Sequence, residues 1–464
     1  MSEAIIAYLG GGSADWAVKL MRDLAGEPGL TGSLRLYDID RPAAETNLEL
    51  GRRVFRHPDA RTTFEVSLAD TPAEALDRAN IVVLSIEPGP TACRYADLEI
   101  PARHGILQTV GDTVGPGGLL RGWRAVPTFI QYAREIAAHA PDAWVINYTN
   151  PMTLCTAALY HGFPGIKAVG CCHEVIGTRE SLSEFLSSRI DGERIPAESI
   201  TIEVAGINHF TLASDIHAGE IDVVALLRDF AAQPESMADL TQNALTRIEN
   251  EKWFDSDNRI ALEFLRTFGA YGAAGDRHLA EFVPFFLRSE AELHRYGVVL
   301  TPYSWRLRRF TERKDRDPIK EAESLEPSGE EGVQMIRALL GGSPLRTNVN
   351  LPNRGQIPWL PTGHPVETYG EVTTDSIVPE TPVPLPGPVR EMQRHAATVQ
   401  DLTLKACLSR DEEALLQALM LDPLVRLPVD EARLMLGEML ESMEKTIRDD
   451  PIHRSLSNTL AAHP

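Results

Sequence analysis

Two groups of residues have types and spacings suited to chemistry. The first is Gly10-Gly11-Gly12-Ser13, between an apolar run (AIIAYL, 4–9) and a helical pattern starting at Asp15. Glycines in a strand-to-helix turn let the backbone approach a pyrophosphate, and the helix N-terminus beyond offers free N–H groups and a positive dipole end. The G-x-G-x-x-G spacing is incomplete, because Asp15 stands where the third glycine would fall. Asp38 supplies the complement, closing the next strand 26 residues beyond Gly12. A carboxylate there bonds adenosine ribose hydroxyls and repels a 2′-phosphate, which favours NAD over NADP. The bland alternative is a glycine-rich turn beside a surface aspartate.

The second group is a cysteine and a histidine. Cys172 lies in GCCHEVIG (170–177) and His209 in AGINHF (205–210), 37 residues apart, which is not a zinc-finger spacing. A thiolate and an imidazole can hold one divalent transition metal and leave positions open for substrate oxygens. The same residues can also be a buried cysteine pair and a structural histidine.

These groups need a scaffold. Strands are expected at 4–9, 33–37, 62–67, 80–86 and 144–151, alternating with helices at 15–25, 43–57 and 123–138; GDTVGPGG (111–118) reads as a loop. Alternation of this kind implies a mostly parallel, doubly wound α/β sheet of Rossmann type. After residue 195 the pattern changes. TIEVAGINHFTLASDI suggests two strands around Gly206, followed by long helices between 222 and 340, a loop-rich interval at 341–390 and a helical end at 390–445. The expected division is residues 1–195 for the dinucleotide and 196–464 for an α+β region that carries substrate, metal and oligomer contacts.

Bulk properties narrow the function. The chain has 464 residues, 43% hydrophobic and 24% charged, as in a globular protein large enough for two regions. A net charge of −21 opposes binding to nucleic acid or anionic membranes. Five cysteines, an odd and sparse set, suggest no disulfide framework. No secretory leader or 18-residue apolar span is visible, so a cytoplasmic location is expected.

The ordered motifs GGGS, LYDID, DLEIPARHGILQTVGDTVGPGGLLRGWR, NYTNP, GCCHEVIG, AGINHF and VNLPNRGQI resemble the glycoside hydrolases of family 4 over nearly the whole chain. That resemblance implies a malate-dehydrogenase-like fold and NAD-mediated hydrolysis, an exception to the two-carboxylate rule of glycosidases. Oxidation at the sugar C3 acidifies C2–H, and a metal on O2 and O3 stabilises the enolate. Elimination then expels the C1 substituent, water adds, and the hydride returns to C3.

The same resemblance assigns residues. Cys172 and His209 match the metal ligands, with Mn²⁺ or another divalent transition metal implied. Asn150, on the NYTNP turn, matches a contact near the nucleotide and the sugar hydroxyls. Asp112 matches an aspartate at the reacting centre, and His173 a substrate contact that assists the leaving group. The C2 base falls in FGAYGAAGDRHLAEF (268–282), where Tyr271 is favoured slightly over Asp276. GDRH (275–278) resembles the α-galacturonidase branch. Arg277, with His278 beside it, would suit a substrate carboxylate because a guanidinium binds one bidentately. α-Galactosidase, α-glucosidase and α-glucuronidase activities stand behind α-galacturonidase. A small carbohydrate partner and a homodimer or homotetramer are expected. A 2-hydroxy-acid dehydrogenase or a non-catalytic NAD sensor would use the glycine loop and Asp38, but neither accounts for Cys172 and His209.

Overall fold

The computed structural model describes residues 3–190 and 194–454. Six strands form its parallel half: β1 (Ala4–Leu9), β2 (Gly32–Tyr37), β3 (Phe64–Leu68), β4 (Ile81–Leu84), β5 (Trp144–Asn147) and β6 (Lys167–Gly170). Their spatial order is 3-2-1-4-5-6, the arrangement of a dinucleotide-binding sheet. Both faces are covered. Ala7 and Leu9 of β1 pack on one side against α3 (Gly115–His139) and α4 (Met152–Gly162), while Ile6 and Tyr8 meet α1 (Trp16–Gly26) and α2 (Arg41–Val54) on the other. Such strands read as continuous apolar runs, as IVVL in β4 does.

The sheet continues antiparallel. β7 (Ile200–Ile207), β8 (Phe210–Ala218), β9 (Ile221–Asp222), β10 (Tyr271–Gly272), β11 (Leu345–Pro352), β12 (Pro365–Val372) and β13 (Ile377–Pro379) complete thirteen strands. The joints are narrow. β6 meets β11 through the single pair Gly170↔Asn350, and β12 meets β7 through Gly206↔Glu367. α5 (Glu174–Ser187) and α6 (Arg259–Phe268) cover this half, α7 (Tyr303–Lys314) comes later in the chain, and α8 (Gly387–Ser409), α9 (Glu412–Leu421) and α10 (Val429–Asp449) follow.

Several sequence expectations change. The hairpin after residue 200 turns at Asn208-His209 rather than at Gly206, with Ile207 facing Phe210. His209, the second turn residue, lies in the left-handed region (φ 67°) while Asn208 does not, the pattern of a type II turn. The second half of GDTVGPGG is the first turn of α3, where Pro116 is tolerated because early helical N–H groups lack partners anyway. The helices between 222 and 340 are short, interrupted at Pro234, Gly269, Pro284, Pro302 and Pro318. The interval 341–390 holds β11, β12 and β13. β12 is buried on both faces, so it lacks the polar alternation that marks a half-exposed strand. No helix among the described residues is long and apolar enough to cross a membrane.

Candidate active site

The glycine loop opens onto a cavity of about 710 Å³. Gly10 lies at φ 100°, where an added Cβ would sit 2.1 Å from the Ser85 carbonyl oxygen. A Cβ on Gly12 would lie 2.9 Å from Asp38 Oδ2, the same oxygen that accepts from the Gly12 N–H at 2.8 Å. Loop and acid are thus one preformed unit. Burial pushes the Asp38 carboxyl up, against the pull of the Asp40 and Gly12 N–H groups. Ser13 Oγ accepts from Trp16 N at 3.1 Å, tying the loop to the start of α1. Ile39, Ile452 and His453 line the cavity along with Asp38. Arg94, Asp112, Arg121 and Asn150 line it as well.

Asp112 belongs to a second cluster. The loop before α3 is held by Glu281, which accepts from Val110 N at 2.6 Å and Gly111 N at 3.0 Å. Asp112, His209 and His278 place ligand-capable atoms within 4.8 Å of one another. The two imidazoles stack with centroids 3.6 Å apart. Thr113 Oγ1 donates to Asp112 Oδ1 at 2.7 Å and lies 2.7 Å from His209 Nδ1. A hydroxyl that gives its proton to the carboxylate can only accept from the ring, which makes Nδ1 the protonated nitrogen and leaves Nε2 a lone pair. Burial, reinforced by His278, brings His209 down to about 3, so the ring is neutral. Burial pushes Asp112 up, but His278, His209, Arg94 and Arg121 outweigh it and hold the carboxyl well below its usual range.

Glu174, at the start of α5, backs this cluster. Its Oε2 accepts from Gly275 N at 2.6 Å, and its Oε1 lies 3.6 Å from His278 Nε2. Burial raises Glu174, but His278, His209 and His173 bring it to about 2. His173 is half exposed and tilts against Trp16, with centroids 5.8 Å apart. Cys172 stands outside the three-donor group. It is buried, bonds Asn208, the neighbour of His209, and burial together with Glu367 and Glu174 keeps its thiol well above the ordinary value. The cysteine–histidine pair expected from sequence therefore shares only His209 with the preassembled donors.

The two base candidates differ in their bonding. Both Asp276 oxygens are engaged, Oδ1 by Ala261 N and Oδ2 by Ser256 Oγ, each at 2.9 Å, so this carboxylate serves the N-terminus of α6. Burial raises it to about 6. Tyr271 lies on β10, paired with Ala213, and burial together with Asp276 pushes its phenol up. Arg277 is buried. Its Nη2 donates to Thr109 O and Thr301 Oγ1, both at 2.7 Å, and its guanidinium lies 4.6 Å from the Phe254 ring.

Asn150 donates to Asp112 Oδ2 at 3.4 Å, and its own Oδ1 is buried without a partner among the described residues. His278 Nδ1 is likewise unpartnered. Unpaired buried acceptors beside a carboxylate and two imidazoles suit a divalent metal and sugar hydroxyls, and the loop at Gly10 and Gly12 suits a pyrophosphate. Sequence reasoning passed over Thr113, Glu174 and Arg306. Thr113 and Glu174 lay inside quoted motifs next to chosen residues. Arg306 sits in the charged run SWRLRRFTERK, which reads as a solvated helix face.

Comparison with known proteins agrees with this layout. Residues 5–188 match the description "Family 4 glycosyl hydrolase" and residues 204–425 its C-terminal domain. An alpha-galacturonidase of Thermoanaerobacterium saccharolyticum is 41% identical over 450 residues, covering 95% of this chain and 96% of the relative. The Bacillus subtilis protein lplD, described as a glucosidase, superposes with a TM-score of 0.87 at 40% identity, over 95% of this chain and 100% of its own. A Thermotoga maritima 6-phospho-beta glucosidase, solved with manganese, NAD+ and glucose-6-phosphate, shares the fold at TM-score 0.74 and 21% identity, over 95% and 98% of the two chains. Cryptosporidium parvum malate dehydrogenase shares it more distantly, at TM-score 0.51 and 12% identity, over 88% of this chain and 99% of its own. With both family descriptions matched in order along the chain, this protein belongs to family 4 of the glycosyl hydrolases.

Proposed function

We propose that the chain is an α-galacturonidase that uses NAD and a divalent metal, Mn²⁺ foremost. The observation that carries the substrate class is Arg277, a buried guanidinium near Asp112 with no carboxylate at ion-pair distance among the described residues. A buried charge left uncompensated is costly, and a substrate carboxylate would compensate it. The 41% identity to an alpha-galacturonidase supports the same reading.

The Gly10–Ser13 loop and Asp38 would hold the nucleotide, and His209, Asp112 and His278 the metal, with Cys172 joining as thiolate. When bound, these groups supply a hydride acceptor for C3 and a Lewis acid at the sugar's O2 and O3. Asn150 would accept a sugar hydroxyl with its free Oδ1 and orient the ring beside Asp112. Tyr271 is favoured to take the C2 proton, because both oxygens of Asp276 are committed to α6. A raised phenol needs a cationic neighbour to ionise, which ties proton transfer to an assembled site. His173, half exposed at the start of α5, would donate to the departing oxygen.

The test is hydrolysis of p-nitrophenyl α-D-galacturonide against the α-D-galactoside and α-D-glucoside, with NAD⁺, Mn²⁺ and thiol reductant present or stripped. The proposal requires a preference for the uronide and loss of turnover when either NAD⁺ or metal is removed. Turnover by a verified apo-protein sinks the cofactor chemistry, and equal rates on neutral glycosides sink the substrate class. The second reading, a neutral α-glycosidase, rests on the description of lplD as a glucosidase.

A further inference from the structure

Five arginines gather near Asp112 and Glu87, of which Arg94 and Arg121 line the cavity, and their partners differ. Arg124 makes a two-pronged pair with Asp97, both contacts at 2.8 Å, and Arg121 makes one with Glu87. Arg94 reaches the same Glu87 only at 3.8 Å and keeps a buried Nη1 without a partner among the described residues. Arg277 and Arg306 have no carboxylate at ion-pair distance among the described residues. Instead both donate to one neutral acceptor, the Thr109 carbonyl oxygen, Arg277 Nη2 at 2.7 Å and Arg306 Nη2 at 3.2 Å. Each also keeps a buried Nε–H without a partner among the described residues.

Two guanidiniums sharing one carbonyl are held close together, and each repels the other. Burial, with Arg94 and Arg277 nearby, brings Arg306 down to about 9, and burial brings Arg277 down to about 10. Glu281 acts on both from a distance, but its oxygens are bound by the N–H groups of residues 110 and 111 and so are not free to pair. A like-charged pair of this kind wants an anion with two oxygens. Thr109 lies three residues before Asp112, so such an anion would stand beside the sugar ring.

We propose that Arg306, reaching over from α7, is a specificity-determining residue that forms with Arg277 a two-guanidinium clamp for the substrate carboxylate. The clamp rests on the galacturonidase reading and adds a second arm from a separate helix. The same helix lines the cavity through Phe310 and Arg313.

The experiment compares wild type, Arg306→Gln and Arg306→Lys as reduced holoenzymes with NAD⁺ and Mn²⁺. Substrates are p-nitrophenyl α-D-galacturonide, its C6 carboxamide and the α-D-galactoside. For wild type, replacing the carboxylate by the amide should cost roughly 10- to 100-fold in kcat/KM, the scale of a charge-assisted pair. In Arg306→Gln the same exchange should cost less than about threefold, with Arg306→Lys between. NAD⁺ affinity and Tm of both variants serve to show that they fold. An undiminished carboxylate-to-amide ratio in Arg306→Gln overturns the clamp while leaving the galacturonidase reading intact. The wild-type ratio needs no variant at all, and a value near one removes both.

Discussion

Thr113 is the smallest side chain on which the proposed metal site depends, and its replacement by valine keeps the shape. The hydroxyl makes two contacts of 2.7 Å, to Asp112 Oδ1 and His209 Nδ1. Valine removes both. His209 is buried, so its Nδ1–H is then left without an acceptor, which costs about 1–3 kcal/mol. In the free protein the ring escapes part of this cost by changing tautomer or tilting. With Nε2 committed to a metal it cannot, so the cost falls on binding. At about 1.4 kcal/mol per decade, Mn²⁺ affinity should fall roughly 5- to 100-fold, in line with losses for groups that orient ligating histidines. The assay is Mn²⁺ titration of reduced, NAD-loaded protein by calorimetry or electron paramagnetic resonance. NAD⁺ affinity should not move, since Thr113 does not line the nucleotide cavity. Mn²⁺ affinity unchanged within twofold would refute the role of Thr113 in setting the tautomer.

Three further outcomes are expected. Cys172→Ser should weaken Mn²⁺ binding at least tenfold and leave NAD⁺ binding intact; unchanged metal affinity would leave the site to Asp112, His209 and His278 alone. Tyr271→Phe should lower kcat by about 10²-fold or more and abolish solvent deuterium exchange at C2 without altering either cofactor's affinity; persistent exchange would move the base elsewhere. Asp276, raised to about 6, binds more protons folded than unfolded between its unfolded value and 6, so its contribution favours the fold at low pH and is lost as pH rises through 6. The Tm of wild type minus that of Asp276→Asn should accordingly fall between pH 4 and 6.5, and a constant difference would show that the carboxyl is not held protonated.

The nucleotide half was legible because its signals are local. The apolar run of β1, the three glycines and Asp38 lie within one βαβ unit, and steric demand at Gly10 and Gly12 explains the residue types directly. The antiparallel half was read poorly because its strands find distant partners. β12 lies between β11 and β7, buried on both faces, and nothing in VETYGEV announces that. The site shows the same split. Asp112, His209 and His278 were each selected, but their convergence depends on a stack between a hairpin turn and the short helix Asp276–Leu279, which no spacing reveals. Arg306 was hidden by composition. Four of the eleven residues in YSWRLRRFTER are arginines, and only the tertiary structure separates the inward one from those at the surface.

The narrow joints of the sheet carry a dynamic consequence. The nucleotide-binding sheet is spliced to the antiparallel one through one rung at Gly170↔Asn350, and a second single rung, Gly206↔Glu367, follows inside the antiparallel half. Gly170 lies two residues before Cys172 and Gly206 three before His209, while Glu367 accepts from Asn208 and Asn348. Backbone amides along that seam are the least reinforced part of the ladder, and they sit where the two halves must agree on geometry. Hydrogen exchange there should be fast in the empty protein and slow once nucleotide and metal are both seated, so the seam would report on assembly of the site before any bond is broken.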